Sequence, residues 1–341
     1  MANLRPPPVT IKDVAQACGV APSTVSNALT GKGYVRSKTR DQVIAAAARL
    51  GYRASSLARS LRLQRTWTVG VLVADIANPF FPALVRGMED VLWARHYNLM
   101  LCNTDYDKTK EAAYLRHLLD KRLDGLILAS TAADSPEVTV LRERDMPFVM
   151  LNRRHRTLVT DYVGTDNRGG TAAAVRHLAE LGHSRIAFVR GPKDSSAAED
   201  RLSGYLDEMR RRFALFDEAL IAPGDYSIEA GRRACVQFLA LDRPPTAIVS
   251  ASDFMAIGAM TVLRERGLSV PRDMSVTGFD DIFVSALPWI DLTTLNPHSR
   301  ELGKRTAEAL LARIDKTANG PADIVIAPTL IHRGTTAPPR G

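Results

Sequence analysis

The stretch Val9–Leu29, VTIKDVAQACGVAPSTVSNAL, predicts two short helices joined by a tight turn. Thr10 can act as an N-cap, so the first helix should begin at Ile11. Gly19 supplies the permissive backbone that ends this helix, and Pro22–Leu29 forms the second, because proline is accepted at a first helical position. The apolar face of the first helix consists of Ile11, Val14, Ala15 and Cys18.

A third helix is needed, because two short helices crossed in this way cannot bury their own apolar faces. The segment Ser37–Leu50, SKTRDQVIAAAARL, supplies it, with Ser37 as its cap and Gly51 as its stop signal. The three helices together predict a helix-turn-helix headpiece over residues 1–53.

Charge separates a DNA-binding headpiece from a merely structural bundle. Residues 1–65 contain eleven lysines and arginines against only Asp13 and Asp41, a net charge of +9. The whole chain carries +8, so the part after Arg65 sums to −1. A basic terminal module on a nearly neutral body is typical of proteins that bind the phosphate backbone. The alternative, a solvated bundle that happens to be basic, requires charge, helix spacing and terminal position to coincide.

The headpiece motif also carries a family resemblance. The run TIKDVAQACGVAPSTVSNAL, followed by YVRSKTRDQVIAAAARLGYRASSLARSLR, resembles the headpiece and hinge of the LacI/GalR repressor family. In that family the second helix lies in the major groove of DNA. The resemblance implies that Pro22, Ser23 and Asn27 read base edges, with Thr24 and Ser26 near phosphates. The other residues that it places on DNA are Thr10, Arg36, Thr39 and Arg59.

The predicted reading helix departs from the commonest family pattern at two positions. Asn27 stands where many members have arginine, which favours a bidentate adenine contact over a guanine contact. Ala21 replaces the usual serine cap. The operator sequence therefore cannot be copied from better-known relatives.

Residues 54–67 are rich in arginine and serine and short of core residues, so their composition predicts a linker. In the resembled family this segment is a hinge helix that orders when two protomers sit on DNA, and one leucine from each opens a minor-groove step. Leu61 occupies that position, and Ala54 stands where the family usually has proline. The alternative for Leu61 is a core contact to the next domain.

From Thr68 onward, short apolar runs alternate with stretches of helical spacing, which predicts an α/β fold with parallel strands covered on both faces by helices. Strands are expected at 69–74, 98–103, 125–130, 147–151, 162–166, 185–191, 246–252 and 274–280. Helices are expected at 81–95, 108–121, 136–144, 169–181, 201–213, 228–241 and 254–266. Two doubly wound halves in tandem place a ligand crevice outside the carboxyl ends of their strands.

The resemblance implies that this core, residues 68–341, is like a periplasmic sugar-binding protein whose chain crosses between its halves three times. We expect the crossings near Asn167, Leu295 and Ala327. The expected halves are 68–167 with 295–326, and 168–294 with 327–336.

Polar and aromatic residues at the strand ends are the candidate effector-binding site. Carboxylates, guanidinium groups and amides over aromatic faces suit polyhydroxylated ligands, because each hydroxyl both donates and accepts hydrogen bonds. For any one of these residues the alternative is a salt bridge or a turn cap, and Asp281 is interpreted as a helix N-terminal charge with no ligand role. The candidates are Asp75, Asn78, Phe80, Phe81, Asn152, Arg153, Asp166, Arg201, Tyr226, Ser252, Asp253 and Asp280.

Composition excludes several other classes of protein. No apolar run approaches the ~18 residues of a membrane span, and MANLRPPPVT lacks the apolar region of a signal peptide, so we expect a cytoplasmic protein. The three cysteines are far apart and match neither a disulfide framework nor a zinc site, and no metal or cofactor is expected.

The sequence also contains no G-x-G-x-x-G after the first strand, no P-loop and no G-x-S-x-G elbow, so it does not indicate an enzyme. We therefore expect a homodimeric, ligand-responsive transcription regulator, most simply a repressor, that binds a pseudopalindromic operator and a small-molecule effector of the carbohydrate class. A solute receptor of a sugar transport system is the alternative, and the basic headpiece opposes it.

Overall fold

The computed structural model describes residues 9–31, 33–52, 65–129, 131–213 and 217–340. The chain forms two compact units that divide between Thr66 and Trp67. The predicted hinge contacts fall within residues 53–64, which lie outside the described residues.

The described residues of the headpiece form three helices, α1 (Ile11–Cys18), α2 (Pro22–Thr30) and α3 (Ser37–Leu50). Each ends at a glycine with positive φ, which is 65° at Gly19 and 66° at Gly51. This backbone conformation is accessible to glycine without strain, so the predicted stop signals act as expected. The small core of the headpiece is formed by Val14, Ala15, Val25, Ala28, Val43, Ala46 and Ala47.

The predicted N-cap of α1, Thr10, is confirmed, and the predicted cap of α3, Ser37, is wrong. At α1, the Asp13 carboxylate accepts hydrogen bonds from the backbone N and Oγ1 of Thr10, at 2.7 and 2.8 Å, so Asp13 reaches back to the cap residue. At α3, the N-cap is Arg36, which makes no side-chain cap hydrogen bond, and Ser37 is already the first helical residue. The extended ψ of 139° at Arg36 sets this boundary.

The core contains two six-stranded sheets, as the α/β prediction requires. The first has the strand order β11-β5-β4-β3-β1-β2 and is parallel throughout. Its strands are β1 (Thr68–Val73), β2 (Asn98–Asn103), β3 (Gly125–Leu128), β4 (Phe148–Leu151), β5 (Tyr162–Thr165) and β11 (Asp323–Ile326).

The second sheet has the order β12-β10-β9-β8-β6-β7, and only its edge strand β12 runs antiparallel to its neighbour. Its strands are β6 (Ile186–Val189), β7 (Ile221–Ala222), β8 (Ala247–Ser250), β9 (Ser275–Phe279), β10 (Thr293–Asn296) and β12 (Thr329–Ile331).

Helices cover both faces of each sheet. Where α4 (Phe80–Ala94) and α11 (Ser299–Ile314) cross, a Cβ on Gly87 would lie 2.0 Å from the Arg300 carbonyl oxygen, and one on Gly303 would lie 2.0 Å from the Leu84 oxygen. Glycine at both positions therefore permits the close approach of the two helices. The core helices are α4 (Phe80–Ala94), α5 (Lys108–Asp120), α6 (Pro136–Glu143), α7 (Asn167–Glu180), α8 (Ser196–Arg212), α9 (Ile228–Leu239), α10 (Asp253–Glu265) and α11 (Ser299–Ile314).

The chain passes between the two sheets three times, after β5, after β10 and between β11 and β12. One predicted crossing residue is misplaced: Leu295 pairs with Phe279 of β9 and with Leu330 of β12, so it belongs to the second half. The elements β7, β10, β11, β12 and α11 were not predicted, although α11 has apolar residues at helical spacing, Leu302, Ala307, Leu310 and Leu311. The strands among them are short or lie near sheet edges, where the apolar pattern is weak.

Candidate functional site

The headpiece exposes one face of α2, the predicted reading helix. Pro22 and Ser23 are exposed at its first turn, and Asn27 is half-buried, while Val25 and Ala28 on the opposite face pack into the headpiece core. The helix is therefore anchored on one side and available on the other, as a helix that enters a DNA groove must be.

The remaining predicted DNA contacts in the headpiece are also accessible. Thr24 and Ser26 on α2 are half-buried, as is Thr39 in the first turn of α3. Thr10 and Arg36, next to the starts of α1 and α3, are exposed. Arg59 and Leu61 lie outside the described residues, so their predicted roles stay predictions.

The core contains a cleft between its two halves, at the carboxyl ends of the strands. We divide it into an outer compartment of about 740 Å³ and an inner compartment of about 30 Å³. Tyr106, Arg153 and Tyr226 line both. Of the predicted effector residues, Asp75, Arg153 and Tyr226 line the outer compartment. Those that line the inner compartment are Asn78, Phe80, Phe81, Asn152, Arg153, Arg201, Tyr226 and Asp280.

The inner compartment is organised around Arg201, whose side chain on α8 is only 3% exposed. Its Nε donates to Asn167 Oδ1 at 2.8 Å, and its Nη1 donates to the carbonyl of Ala251. Its guanidinium carbon lies 3.6 Å from the centroid of the Phe279 ring, and Nη2 is 3.8 Å from Asp280 Oδ1. Its planar group is thus held on three sides, which fixes its orientation.

A polar chain continues from Arg201 into the first half of the core. Asn167 Nδ2 donates to the Thr165 carbonyl at 3.2 Å and lies 3.5 Å from Asn152 Oδ1. Asn152 follows β4, whereas Arg201 and Asp280 belong to the second half. The two halves are therefore connected by buried polar groups at the base of the cleft.

Asp280 is a buried carboxyl group whose charge is only partly compensated. Burial raises its pKa well above the usual value, and the nearby Arg201 lowers it by less, while Asp253 raises it further. A carboxyl group in this state can either accept or donate a hydrogen bond, and both suit a ligand hydroxyl.

Phe80 and Phe81 form an apolar wall at the start of α4. Their ring centroids are 5.3 Å apart at an interplanar angle of 73°, and both side chains are buried. Asn78 Oδ1 accepts a hydrogen bond from Phe80 N at 3.1 Å, which holds this turn in place. The predicted segment thus contributes an aromatic surface and one polar group.

Four cleft residues have backbone conformations that side-chain-bearing residues rarely adopt. The φ angles are 58° at Tyr106, 59° at Asn152, 70° at Tyr226 and 124° at Asp280. Such strain persists only where the surrounding structure imposes it, and it clusters at binding sites. The sequence carries no signal for these angles.

Three predicted effector residues make hydrogen bonds that stabilise the fold. Asp166 Oδ1 caps α7 by accepting from Gly169 N at 2.8 Å, and Ser252 Oγ caps α10 by accepting from Met255 N at 3.3 Å. Asp253 is fully buried and accepts hydrogen bonds from Ile282 N, Ser285 Oγ and Thr294 Oγ1. These bonds attach α10 to the segment between β9 and β10 and to β10 itself. None of the three lines either compartment.

Asp281, predicted to be a helix N-terminal charge, instead pairs with side chains of the C-terminal part of the core. Its Oδ1 accepts from Arg333 Nη2 at 2.6 Å, and its Oδ2 accepts from Asn296 Nδ2 at 2.8 Å. These contacts attach the C-terminal segment to the second sheet.

The outer compartment is lined by residues that the sequence reasoning missed. Tyr106 lies in the short turn after β2 and Lys108 is the first residue of α5, so a search of the segments that follow strands would have found them. Others, such as Glu111 one turn into α5 and Phe254 in the first turn of α10, are brought to the cleft only by the fold. The missed residues are Tyr106, Lys108, Glu111, Ala132, Pro192, Asp194, Asp225, Ser227, Ile228, Glu229 and Phe254.

Within the described parts of the chain, no cluster of metal-binding side chains occurs, and Cys18, Cys102 and Cys235 are free thiols. No described helix is both long and apolar enough to cross a bilayer.

The core and the headpiece both match known families. Residues 66–334 match the periplasmic binding proteins and sugar binding domain of the LacI family, and residues 10–55 match the bacterial regulatory proteins of the lacI family. The HTH-type transcriptional regulator RegA of Clostridium saccharobutylicum is 35% identical over 96% of this chain and 99% of its own length. The ribose operon repressor of Escherichia coli K12 is 34% identical over the same shares.

A solved structure gives the same result for the fold. The lac repressor dimer bound to operator and the anti-inducer ONPF aligns with a TM-score of 0.87 at 29% identity, covering 97% of this chain and 100% of that one. The matched families together span both the helix-turn-helix headpiece and the two-sheet core with its cleft. The chain therefore belongs to the LacI family of bacterial transcriptional regulators.

Proposed function

We propose that this protein is a sequence-specific repressor whose operator affinity is controlled by a sugar-class effector bound in the cleft. The observation that carries the proposal is a cleft lined from both halves of the core, in a chain whose basic N-terminal unit is a helix-turn-helix. A transport receptor would need the same cleft but would have no use for a DNA-reading headpiece.

For the DNA side, we propose a headpiece at 1–53, a hinge at 54–67 and a core at 68–341. Helix α2 reads the major groove, and its exposed first turn and the +9 charge of residues 1–65 support this role. The hinge residue Leu61 acts at a minor-groove step. The proposed DNA-binding residues are Thr10, Pro22, Ser23, Thr24, Ser26, Asn27, Arg36, Thr39, Arg59 and Leu61.

For the effector side, the proposed contacts are the predicted residues that line the cleft. A ligand that touches Phe80 or Arg153 in the first half and Arg201 or Asp280 in the second binds more tightly when the halves are closed. A ligand with no differential affinity for two arrangements of the core could not regulate DNA binding. The switch is therefore the relative position of the two halves, which sets the spacing of the headpieces in a dimer.

We propose a homodimer that acts in the cytoplasm on a pseudopalindromic operator. The relative solved on DNA is a dimer, and a two-fold protein matches a two-fold site.

The test is titration calorimetry of the effector with and without operator duplex. Linkage requires effector and operator to change each other's affinity by the same factor. Asp280→Ala should remove the effector response and preserve operator binding, because Asp280 belongs to the core cleft. Equal effector affinity in both conditions would show that the cleft is not the switch.

A further inference from the structure

We propose that the effector is an oligosaccharide of at least two rings that carries no anionic group, with most of its volume in the outer compartment. This inference rests on the proposed function and specifies the ligand of the same cleft. Three features of the outer compartment carry it: its size, the sign of its charges and the arrangement of its aromatic side chains.

The sizes of the two compartments assign the bulk of the ligand to the outer one. The inner compartment, about 30 Å³, holds one water-sized group. The outer compartment, about 740 Å³, holds roughly 25 such groups at ~30 Å³ each, which is more than a single sugar ring occupies. Its volume lies in the range of sites that enclose drug-sized ligands. A ligand of at least two rings fills this space, and one of its hydroxyls reaches Arg201 and Asp280.

The charges that line the outer compartment oppose an anionic ligand. Among the described residues, two cations line it, Lys108 and Arg153. Lys108 Nζ lies 3.5 Å from both Asp134 Oδ1 and Asp194 Oδ2. A phosphate or carboxylate here would face an excess of negative charge in a partly enclosed space. The lining carboxylates are Asp75, Asp194, Asp225 and Glu229, and Glu111, whose pKa burial raises to about 7, adds a partial charge.

The backbone amides that could hold an anion are also occupied. Helix N-termini are common phosphate sites, and α5 and α9 both begin at this compartment. At α5, Asp107 Oδ1 accepts from Thr109 N at 2.7 Å and from Lys110 N at 3.2 Å. At α9, Ser227 Oγ accepts from Ala230 N at 3.0 Å. The protein's own acceptors therefore fill positions that an anionic ligand would need.

Arg201 in the inner compartment does not offset this exclusion. Its guanidinium is already bound by Asn167 and the Ala251 carbonyl, and it faces the Asp280 carboxyl. Displacing these partners for a ligand anion would leave a buried acceptor unpaired. A hydroxyl, in contrast, can join the network as both donor and acceptor.

Aromatic faces supply the apolar part of a sugar site. Tyr106 from the first half and Tyr226 from the second have ring centroids 6.4 Å apart and share the wall between the compartments. Phe254 adds a further apolar surface. Apolar surfaces with a small number of convergent polar groups are typical of specific small-molecule sites. Together with the carboxylates as acceptors, they suit the C–H faces and the hydroxyls of uncharged rings.

The first experiment is a thermal-shift and calorimetry panel on the full-length protein. The probes are neutral mono-, di- and trisaccharides, including ribose, glucose, galactose, cellobiose, maltose and lactose. Each is paired with its aldonic acid and its phosphate ester, the 5-phosphate for ribose and a 6-phosphate for the hexose sugars. The tightest ligand should be neutral with two or more rings. Its constituent monosaccharide and its anionic counterpart should each bind at least about tenfold more weakly.

The second experiment tests whether the lining carboxylates weaken the binding of anionic sugars. The double variant Asp194→Asn/Glu229→Gln removes two exposed carboxylates from the lining, and Asp242→Asn/Glu218→Gln is a matched control that removes two exposed charges elsewhere. In the first variant, the ratio of Kd for the aldonic acid to Kd for the neutral sugar should fall by at least about threefold. This fall in the ratio should be smaller at high salt, because salt screens the charges. The control should keep the ratio of the parent protein.

Each outcome decides between the inference and the function on which it rests. A tightest ligand that is anionic or has a single ring, and that changes operator affinity, overturns the inference but leaves the proposed function intact. A protein that binds operator and is stabilised by no carbohydrate overturns both the inference and the sugar-class effector. An unchanged selectivity ratio in Asp194→Asn/Glu229→Gln overturns the electrostatic argument.

Discussion

Replacing Arg201 by alanine tests whether the inner compartment depends on one buried guanidinium. The substitution removes the donors to Asn167 Oδ1 and to the Ala251 carbonyl, the contact with the Phe279 ring and the charge nearest Asp280. A buried acceptor left without a donor costs about 1–3 kcal/mol, and breaking a buried ion pair costs about 3–5 kcal/mol. Protonation of Asp280 offsets part of the second loss. We expect the free energy of unfolding to fall by about 3–5 kcal/mol.

The assay is urea denaturation followed by circular dichroism, with effector affinity measured on the folded protein. Arg232→Ala is the control, because Arg232 also pairs with a carboxylate, Glu265 at 2.9 Å, but at a more exposed position. That pair should contribute about 0–1 kcal/mol. Arg201→Lys keeps the charge and loses the planar fork, so it should fold better than Arg201→Ala and still bind effector weakly. A loss below about 1 kcal/mol in Arg201→Ala, or effector affinity equal to that of the parent, would refute the reasoning.

Three further predictions concern the headpiece, the hinge and the pH dependence of stability. Asn27→Ala should relax preference at one symmetric base position at a cost of about 1–3 kcal/mol per half-site, measured by binding to a library of single-base operator variants; a uniform loss across all variants would contradict base reading. Leu61→Ala should reduce DNA bending in a circular-permutation gel assay and leave the core's effector affinity unchanged; unchanged bending would reject the wedge role. Burial raises the pKa of Glu111 from 4.5 to about 7, so the folded state binds more protons than the unfolded state between these values, and stability should fall as pH rises through this window. In the parent protein this fall in the free energy of unfolding should amount to about 3 kcal/mol across the window, and Glu111→Gln should remove most of it. The measurement is urea titration at pH 4.5 and 8; an equal pH dependence in both proteins would show that Glu111 titrates normally.

The headpiece was predictable from sequence because its signals are local. Gly19 and Gly51 end their helices through their own backbone freedom, and Pro22 begins one. The core strands were predictable for a similar reason, since strands covered on both faces are continuous apolar runs. The error at α3 arose because Arg36, one residue before the predicted cap Ser37, takes the N-cap position with a non-helical ψ of 139°.

The cleft depended on tertiary structure to a much greater degree. The sequence placed Asp253, Asp166 and Asp280 alike at strand ends, but only Asp280 lines the cleft. Asp253 turns into the protein to accept three hydrogen bonds, and burial raises its pKa to about 6. Which way such a carboxylate faces depends on donors more than twenty residues away, such as Thr294 Oγ1.

The sequence by itself determined the family, the basic reading helix and the two-sheet core, because these depend on residue spacing, charge and hydrophobic period within short segments. Only the tertiary structure decided the composition of the outer compartment, where Tyr106 and Glu111 of the first half meet Asp194 and Tyr226 of the second. The physical reason is that the strands of both halves end at the same cleft, so side chains from loops and helix starts far apart in sequence become neighbours. Positive φ angles at Tyr106 and Tyr226, imposed by that packing, then set the directions of the two rings.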